Sequence, residues 1–583
     1  MQKLFLSGNE ATAQGAWEAG LHFATGYPGT PSTEILETIA ERFPEIEAQW
    51  AVNEKVAVEV AGGASFAGAR AMATMKHVGL NVAADPFFSL SYAGVVGGLI
   101  IVSADDPGMH SSQNEQDNRY YSRSARCLTL EPSSSQECRD FIIKGLELSE
   151  KFETPVLFRM TTRICHSKGI VVCGQRAEVP RKGYTSLPQN RVLMPSNARR
   201  RHKWVLERTE NIRKYANSCD LNVWEKGDTK IGIITSGISY QYVKEVMPEA
   251  SVLKLGLTWP LPFDLIKNFA ESVERIFVVE EGDPILENDI KAIGIKCVGK
   301  ELIPIEGELS PEIVRKALSP KTAVQIKWEP AKAPSRPPVL CPGCPHRSVF
   351  YWLTRTKKST SGDIGCYTLG AVPPLKAMDT CICMGASISG MEGLEKGGGR
   401  EVAENLAAAI GDSTFVHSGI TGLIDMVYNK ATGTVLILDN EITAMTGRQE
   451  HPATGRDIRG NPAPRLDLEK LCKAIGVKHV KTVDAYDMKA VKDSLKEDMS
   501  RNELSVLIFR RPCVLLERSK RKAYAYVDQD KCTDCGVCIK LGCPAIEKDK
   551  EAGKVRINAL FCYPECSMCV QICPAHAISK KEE

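Results

Sequence analysis

Short apolar runs separated by Ala- and Gly-rich stretches dominate the first 180 residues. Ile46–Val52, Ala71–Met75, Gly98–Ser103 and Pro155–Met160 read as buried strands, and Glu54–Ala69 reads as a helix between two of them. Continuous apolar runs alternating with helical patterns predict a parallel α/β sheet. From about Pro180 to Asp228 the pattern breaks. The run Ala198-Arg-Arg-Arg-His-Lys203 and its surroundings are polar and basic, and predict a solvated connecting segment that packs on a neighbour rather than a nucleic-acid patch. A second α/β unit follows, with strands at Ile231–Thr235, Val252–Leu257 and Ile276–Glu280. The proline-rich stretch Glu329–Pro338 predicts a semi-rigid linker. A third α/β unit runs from about Val339 to Leu516, with strands at Leu406–Ile410, Val435–Leu438 and Ser505–Phe509. The predicted layout is therefore 1–182, a connecting segment 183–228, a domain 229–328, a linker 329–338, a domain 339–521 and a terminal module 522–583.

Length and composition change this picture little. A chain of 583 residues should divide into several domains of roughly 100–200 residues each. Hydrophobic content of 43% and charged content of 25% are ordinary for a globular protein. A net charge of +3 implies no field for nucleic acid or membrane. The longest apolar run, about Tyr92–Ala104, is too short for a spanning helix of roughly 20 residues. Met1–Glu10 has no cleavage-site pattern. These features predict a cytoplasmic protein.

The cysteines change it most. Eight of the 21 fall in two runs, Cys532-x2-Cys535-x2-Cys538-x4-Cys543-Pro and Cys562-x3-Cys566-x2-Cys569-x3-Cys573-Pro. In a two-cluster bacterial ferredoxin the fourth cysteine of each run ligates the other cluster. The expected sets are Cys532, Cys535, Cys538 and Cys573 for one [4Fe-4S] cluster, and Cys543, Cys562, Cys566 and Cys569 for the other. Two gaps are each one residue longer than the commonest spacing, which alters loop shape more readily than ligand identity. Structural zinc would accept four thiolates per site, but matched Cys-Pro endings are not a zinc habit. Disulfides suit small secreted domains, and this chain is long and shows no signal peptide. Clusters predict low-potential electron transfer in a reducing, anaerobic setting.

In the third unit Gly411-Asp412-Ser413 follows one apolar run, and Asp439-Asn440 follows the next. Both then stand at the C-terminal edge of a parallel sheet, where ligands bind in such folds. A carboxylate and an amide oxygen suit Mg2+ completed by phosphate oxygens. Alone the pattern is weak, and an ordinary βα turn accounts for it. This spacing resembles the GDG and NN motif of thiamine-diphosphate enzymes, with Ser413 for the last Gly and Asp439 for the first Asn. By that resemblance Gly411, Asp412, Ser413 and Asn440 bind the cofactor, and Asp412, Asn440 and the Ile442 carbonyl hold Mg2+.

Further motifs narrow the family. Gly26-Tyr-Pro-Gly-Thr-Pro-Ser32 resembles a segment of the 2-oxoacid:ferredoxin oxidoreductases, in which Thr30 would contact substrate. Glu54, at a strand end before an Ala/Gly helix, matches the glutamate that faces the aminopyrimidine in that superfamily. A helix-start acid favoured by the dipole is its structural alternative. Cys341-Pro-Gly-Cys344, Gly365-Cys366 and Pro512-Cys513 resemble elements that ligate a cluster beside the thiazolium in related enzymes. They leave two readings open, a third cluster through Cys341, Cys344, Cys366 and Cys513, or buried packing thiols. The nine other cysteines, Cys381 and Cys383 included, read as packing residues; His77 and His417 lie near family motifs and could serve as polar catalytic groups, but read first as packed, hydrogen-bonded histidines.

With Leu6-Ser-Gly-Asn-Glu-Ala11, Cys341–Arg347 and Leu438-Asp-Asn-Glu-Ile-Thr-Ala-Met-Thr-Gly447, the chain resembles, along essentially its whole length, the large subunits of the indolepyruvate:ferredoxin oxidoreductase family. The resemblance implies two thiamine-binding domains, a transketolase C-terminal-like unit and a 2[4Fe-4S] module. It implies an enzyme that decarboxylates arylpyruvates oxidatively with coenzyme A and reduces ferredoxin, using thiamine diphosphate and Mg2+. A small beta subunit in an α2β2 assembly is also implied, because single-chain relatives carry an additional domain without a counterpart here. Another 2-oxoacid, pyruvate or branched-chain, stays open, as does a non-oxidative thiamine decarboxylase. A pure electron-transfer subunit is a third class, and it would bind no thiamine.

Overall fold

The computed structural model describes residues 2–319, 334, 337–516, 523–549 and 553–582. Most of the predicted linker at 329–338 and the boundary between 521 and 522 lie outside the described residues. Two compact units divide the chain, Met1–Glu329 and Pro330–Glu583.

The first unit is built on a seven-stranded sheet. From edge to edge its strands are Leu257–Trp259, Leu128–Leu130, Val156–Thr161, Leu99–Asp105, Ala71–Lys76, Phe23–Gly26 and Glu47–Trp50. All neighbours run parallel except Leu257–Trp259, which is antiparallel to its partner. Leu99–Asp105 and Val156–Thr161 are buried at every position, as expected of strands covered on both faces. The parallel direction brings the ends at Gly26, Trp50, Lys76, Asp105 and Thr161 to one edge. A second sheet holds Arg275–Val279, Asp228–Ser236, Ala250–Leu255 and an antiparallel Asn222–Glu225. A hairpin-like pair of Gln2–Ser7 and Lys168–Cys173 stands apart from both.

The basic stretch expected to be a solvated connection is largely a 22-residue helix, Pro195–Ala216, opened by a proline at its first turn. Two of its arginines are buried. Arg208 donates to the Ser91 carbonyl and hydroxyl, both at 2.8 Å, and to the Arg126 carbonyl at 3.0 Å. Arg201 donates to the Tyr92 carbonyl at 2.6 Å and lies over the Trp204 ring. Guanidinium groups here seal helix Ala84–Ala93 and its exit, although Arg201 Nη2 and Arg208 Nε are buried without a hydrogen-bond partner.

The second unit carries a six-stranded, wholly parallel sheet. Its order is Thr380–Cys381, Ser359–Gly362, Leu406–Gly411, Gly433–Asp439, Leu504–Arg510 and His479–Asp484. The C-terminal module adds two small antiparallel pairs, Ala523–Val527 with Ile578–Glu582 and Ile546–Lys548 with Val555–Ile557. The module does not stand alone. One apolar core contains Leu340, Phe350, Leu436 and Phe509 together with Ala525, Leu541, Val555, Met568 and Ile578. Arg347, at 1% exposure, donates to the Leu541 carbonyl at 2.9 Å and the Leu340 carbonyl at 2.7 Å. Gln571 bridges the Tyr486 carbonyl and the Met488 amide. Among the described residues no helix is long and apolar enough to cross a membrane.

Candidate functional site

Gly411 pairs opposite Leu438, so Asp412 and Asn440 leave neighbouring parallel strands at the same edge. Asp412 is buried, with 3% of its side chain exposed. One terminal atom of the Asn440 amide lies 3.1 Å from Asp412 Oδ1 and 2.8 Å from the Ile442 carbonyl oxygen. With nitrogen in that place the amide donates to both. With oxygen there, three acceptors face one another. Oxygens bound side by side on an octahedral Mg2+ at 2.0–2.1 Å are about 3 Å apart, so both distances from the Asn440 atom suit a shared cation. The other end of the amide lies 3.4 Å from His346 Nε2. Burial pulls the pKa of His346 down to about 4, so its ring is neutral and can meet either amide orientation.

Residues to which the sequence assigned no role surround this group. His451 Nε2 lies 3.2 Å from Asp412 Oδ2, and its charge helps hold that carboxyl below the usual carboxylate range against burial. Asp439 bonds Arg510 Nε at 2.7 Å, yet burial and the Asp412 charge raise its pKa to about 6. Asp363 is buried beyond strand Ser359–Gly362 and accepts from the amides of Ile364, Gly385 and Ser387. Burial still raises it to about 6. Thr443 donates to Ser413 Oγ at 2.9 Å, which ties the two motif loops together. His346 was visible in the Cys-Pro-Gly-Cys-Pro-His run. His451 and Asp363 carried no local signal.

Twelve of the cysteines form three groups of four. Cys532, Cys535, Cys538 and Cys573 line one cavity. Cys543, Cys562, Cys566 and Cys569 line a second. Both are the quartets expected from the crossed ferredoxin pattern, and each surrounds a space rather than a point. Among the described residues no three His, Cys, Asp or Glu side chains gather tightly enough to hold a single ion. Cys341 and Cys366 lie near each other, near Cys344 and near Cys513. Burial pushes the Cys366 thiol up to about 11, with Cys513 and Cys341 adding to the rise, and pushes Cys344 up to about 12. The Cys513 amide donates to the Asn440 carbonyl at 3.0 Å, so this group adjoins the oxygen site. It also adjoins the second cavity. Gly343 has φ +74°, and a Cβ there would lie 2.6 Å from Tyr563 Cβ. Tyr486 donates to the Gly343 carbonyl at 2.6 Å. Cys383 departs from the packing role expected of it. The edge strand ends at Cys381, and Ile382 and Cys383 beyond it are exposed.

In the first unit Glu54 opens helix Glu54–Phe66, capped by Asn53, whose side chain accepts from the Val56 amide at 2.9 Å. The carboxylate is buried at the helix start, where the dipole favours it. A Cβ on Gly79 would lie 2.6 Å from Glu54 Oε1, so only glycine admits this approach. Thr30 is half-buried in the loop that follows strand Phe23–Gly26. His77 is buried, with Nε2 3.1 Å from the Asn114 carbonyl, and burial lowers its pKa. In the second unit His417 is buried beside Ser418 Oγ at 2.6 Å.

Three family descriptions match the chain: "Pyruvate flavodoxin/ferredoxin oxidoreductase, thiamine diP-bdg" over residues 14–221, "Thiamine pyrophosphate enzyme, C-terminal TPP binding domain" over 363–509, and "4Fe-4S dicluster domain" over 524–574. Together they define a thiamine- and iron–sulfur-dependent 2-oxoacid:ferredoxin oxidoreductase. Indolepyruvate oxidoreductase subunit IorA of Archaeoglobus fulgidus is 40% identical over 99% of this chain and 97% of its own length. The subunit of that name from Methanothermobacter thermautotrophicus is 41% identical, again over 99% and 97%. The chain belongs to the indolepyruvate oxidoreductase subunit IorA family. A solved 2-oxoglutarate:ferredoxin oxidoreductase from Magnetococcus marinus overlaps 54% of this chain and 64% of its own, at 19% identity and a TM-score of 0.45.

Proposed function

We propose that this chain carries out the oxidative decarboxylation of arylpyruvates, indolepyruvate among them, with coenzyme A. The products are aryl-acetyl-CoA and CO2, and the electrons pass to ferredoxin. The substrate class follows the names of the full-length relatives. The observation that carries the chemistry is the continuity of the second unit. Its oxygen site touches the Cys341/Cys344/Cys366/Cys513 group through the Cys513–Asn440 bond, and that group touches the second cysteine cavity through Gly343 and Tyr563. Electrons released beside the oxygen site would therefore have a short, packed route to the C-terminal module.

Thiamine diphosphate, when bound, supplies a carbon nucleophile and an electron sink for decarboxylation. The residues hold and tune it. Asp412 Oδ1, the Asn440 amide oxygen and the Ile442 carbonyl would hold the Mg2+ that neutralises the diphosphate, with His451 fixing the second Asp412 oxygen. Glu54 would hold the proton at the aminopyrimidine ring nitrogen, and its burial keeps water from competing for it. Thr30 would contact substrate. The two quartets would bind [4Fe-4S] clusters, Cys543/Cys562/Cys566/Cys569 nearer the oxygen site and Cys532/Cys535/Cys538/Cys573 farther out. Cys341, Cys344, Cys366 and Cys513 would bind a third. A small beta subunit in an α2β2 assembly and a reducing cytoplasm complete the reading.

The test is turnover of indolepyruvate, phenylpyruvate, pyruvate and a branched-chain 2-oxoacid, measured anaerobically with coenzyme A, ferredoxin and the co-expressed beta subunit. Preference for the aryl acids supports the proposal. Preference for pyruvate overturns the substrate assignment, and aldehyde release without ferredoxin reduction overturns the oxidative one.

A further inference from the structure

Lys76 ends strand Ala71–Lys76, at the sheet edge that also presents Glu54 and the Tyr27–Ser32 loop. Its stem runs along that loop. A Cβ on Gly29 would lie 3.0 Å from Lys76 Cγ and 3.2 Å from Cδ. The ammonium donates to the Ser111 carbonyl at 2.7 Å, a bond open to solvent. An ammonium has three donors, so this bond leaves two. Among the described residues no carboxylate reaches ion-pair distance of it. Asp106 and Glu54 are close enough to offset part of the burial that lowers its pKa. The Asp106 carboxylate is already engaged by the Ser111 amide and the hydroxyls of Ser112 and Thr162.

The other cations at this edge are committed. Arg159 pairs with Asp105 and Glu131, both at 2.7 Å. Arg119 pairs with Asp117 at 2.5 Å and Glu280 at 2.7 Å. Arg163 bonds Glu308 through two nitrogens. His77 is driven toward its neutral form by burial. Lys76 alone among these groups is a half-buried cation facing solvent without a paired anion. Such a group is costly unless an anion completes it, and a 2-oxoacid brings one.

We propose that Lys76 binds the carboxylate of the 2-oxoacid substrate, a site that rests on the 2-oxoacid oxidoreductase reading. The alternative is that Lys76 serves only to hold Glu54. The two roles differ in kinetics. An ion pair to the substrate carboxylate exists in the ground state, so its loss raises KM with little change in kcat. A group that only positions Glu54 would lower kcat at constant KM. A bond to a charged group is worth roughly 1.5–3 kcal/mol, or about 10- to 100-fold in affinity.

The experiment compares Lys76→Met, which keeps the apolar stem, with Lys76→Arg, which keeps the charge. Lys76→Met should raise KM for the preferred 2-oxoacid by about 10- to 100-fold, and Lys76→Arg should recover part of the loss. Thiamine diphosphate affinity should not change in either. A second readout needs no turnover: equilibrium binding of 3-phenylpropionate against its neutral amide. The parent should prefer the acid, and Lys76→Met should abolish that preference. An unchanged KM with a retained preference for the acid overturns the proposal, and so does a fall in kcat alone. Lys76-dependent acid binding in a protein that turns over no 2-oxoacid would uphold the anion site while overturning the reading it rests on.

Discussion

Asp412→Asn separates holding the cofactor from every other property of the second unit. The substitution keeps the volume of a nearly fully buried side chain and removes only its charge. The amide oxygen can take the Oδ1 position and the amide nitrogen then faces His451 Nε2, which lies 3.2 Å from the present Oδ2 and can accept in its neutral form, so the packing around the site is preserved. What is lost is the carboxylate oxygen 3.1 Å from the Asn440 amide, the anionic member of the three-oxygen group. Removing one member of a buried, hydrogen-bonded charge pair costs roughly 3–5 kcal/mol. The amide oxygen can still face the cation, so the lower end applies. At 1.4 kcal/mol per tenfold, about 3 kcal/mol weakens Mg2+–thiamine diphosphate binding by roughly 100-fold. Titration calorimetry with Mg2+ in excess reads this directly. Iron and sulfide content should stay at the parent value, because the cysteine quartets line separate cavities. The variant should then accept electrons from a strong reductant and fail to oxidise a 2-oxoacid. Thiamine diphosphate affinity within about threefold of the parent, under 1 kcal/mol, would refute the assignment of the metal site.

Three further outcomes are expected. Glu54→Gln should bind thiamine diphosphate normally and lose roughly 10²–10⁴-fold in kcat; near-parent turnover would leave Glu54 as a helix-start acid and nothing more. Anaerobic analysis should find about twelve irons per chain, at four per [4Fe-4S] cluster; about eight would return Cys341, Cys344, Cys366 and Cys513 to packing roles. Glu281 should set a pH dependence of stability. Burial raises its pKa from 4.5 to about 7, so the folded state binds its proton more tightly than the unfolded state does. Its stabilising share is complete below about pH 4.5 and is lost as pH rises through 7. The shift of about 2.5 units corresponds to roughly 3 kcal/mol. Glu281→Gln keeps an acceptor for the Leu309 amide and should be more stable than the parent at pH 8, measured by urea denaturation; equal or lower stability at pH 8 would show that the buried charge is compensated.

What the sequence made legible was whatever is encoded locally. Strands covered on both faces announce themselves as continuous apolar runs, so Leu99–Asp105, Val156–Thr161 and Gly433–Asp439 fell close to where they were expected. Thiolates spaced to wrap a cluster, and a Gly-Asp turn at a strand end, are equally local. What stayed hidden depends on partners far along the chain. The run Ala198–Lys203 looks like a solvated face until the Tyr92 carbonyl accepts from Arg201, as Ser91 and Arg126 do from Arg208 farther along the same helix. The cysteine module reads as a separate piece, yet its Leu541 and Met568 complete a core begun by Leu340 and Phe350. Arg347 draws both parts together from within the Cys341–Arg347 run. His451 reaches Asp412 from 39 positions farther along the chain, which no periodicity records. Lys76 is the instructive case. Its position at a parallel strand end is local and was readable by the rule that singled out Glu54. What gives it meaning is the absence of a paired carboxylate among the described residues, and that is a property of the folded sheet edge. A charge becomes a candidate for ligand binding only once its neighbours are known to be spoken for.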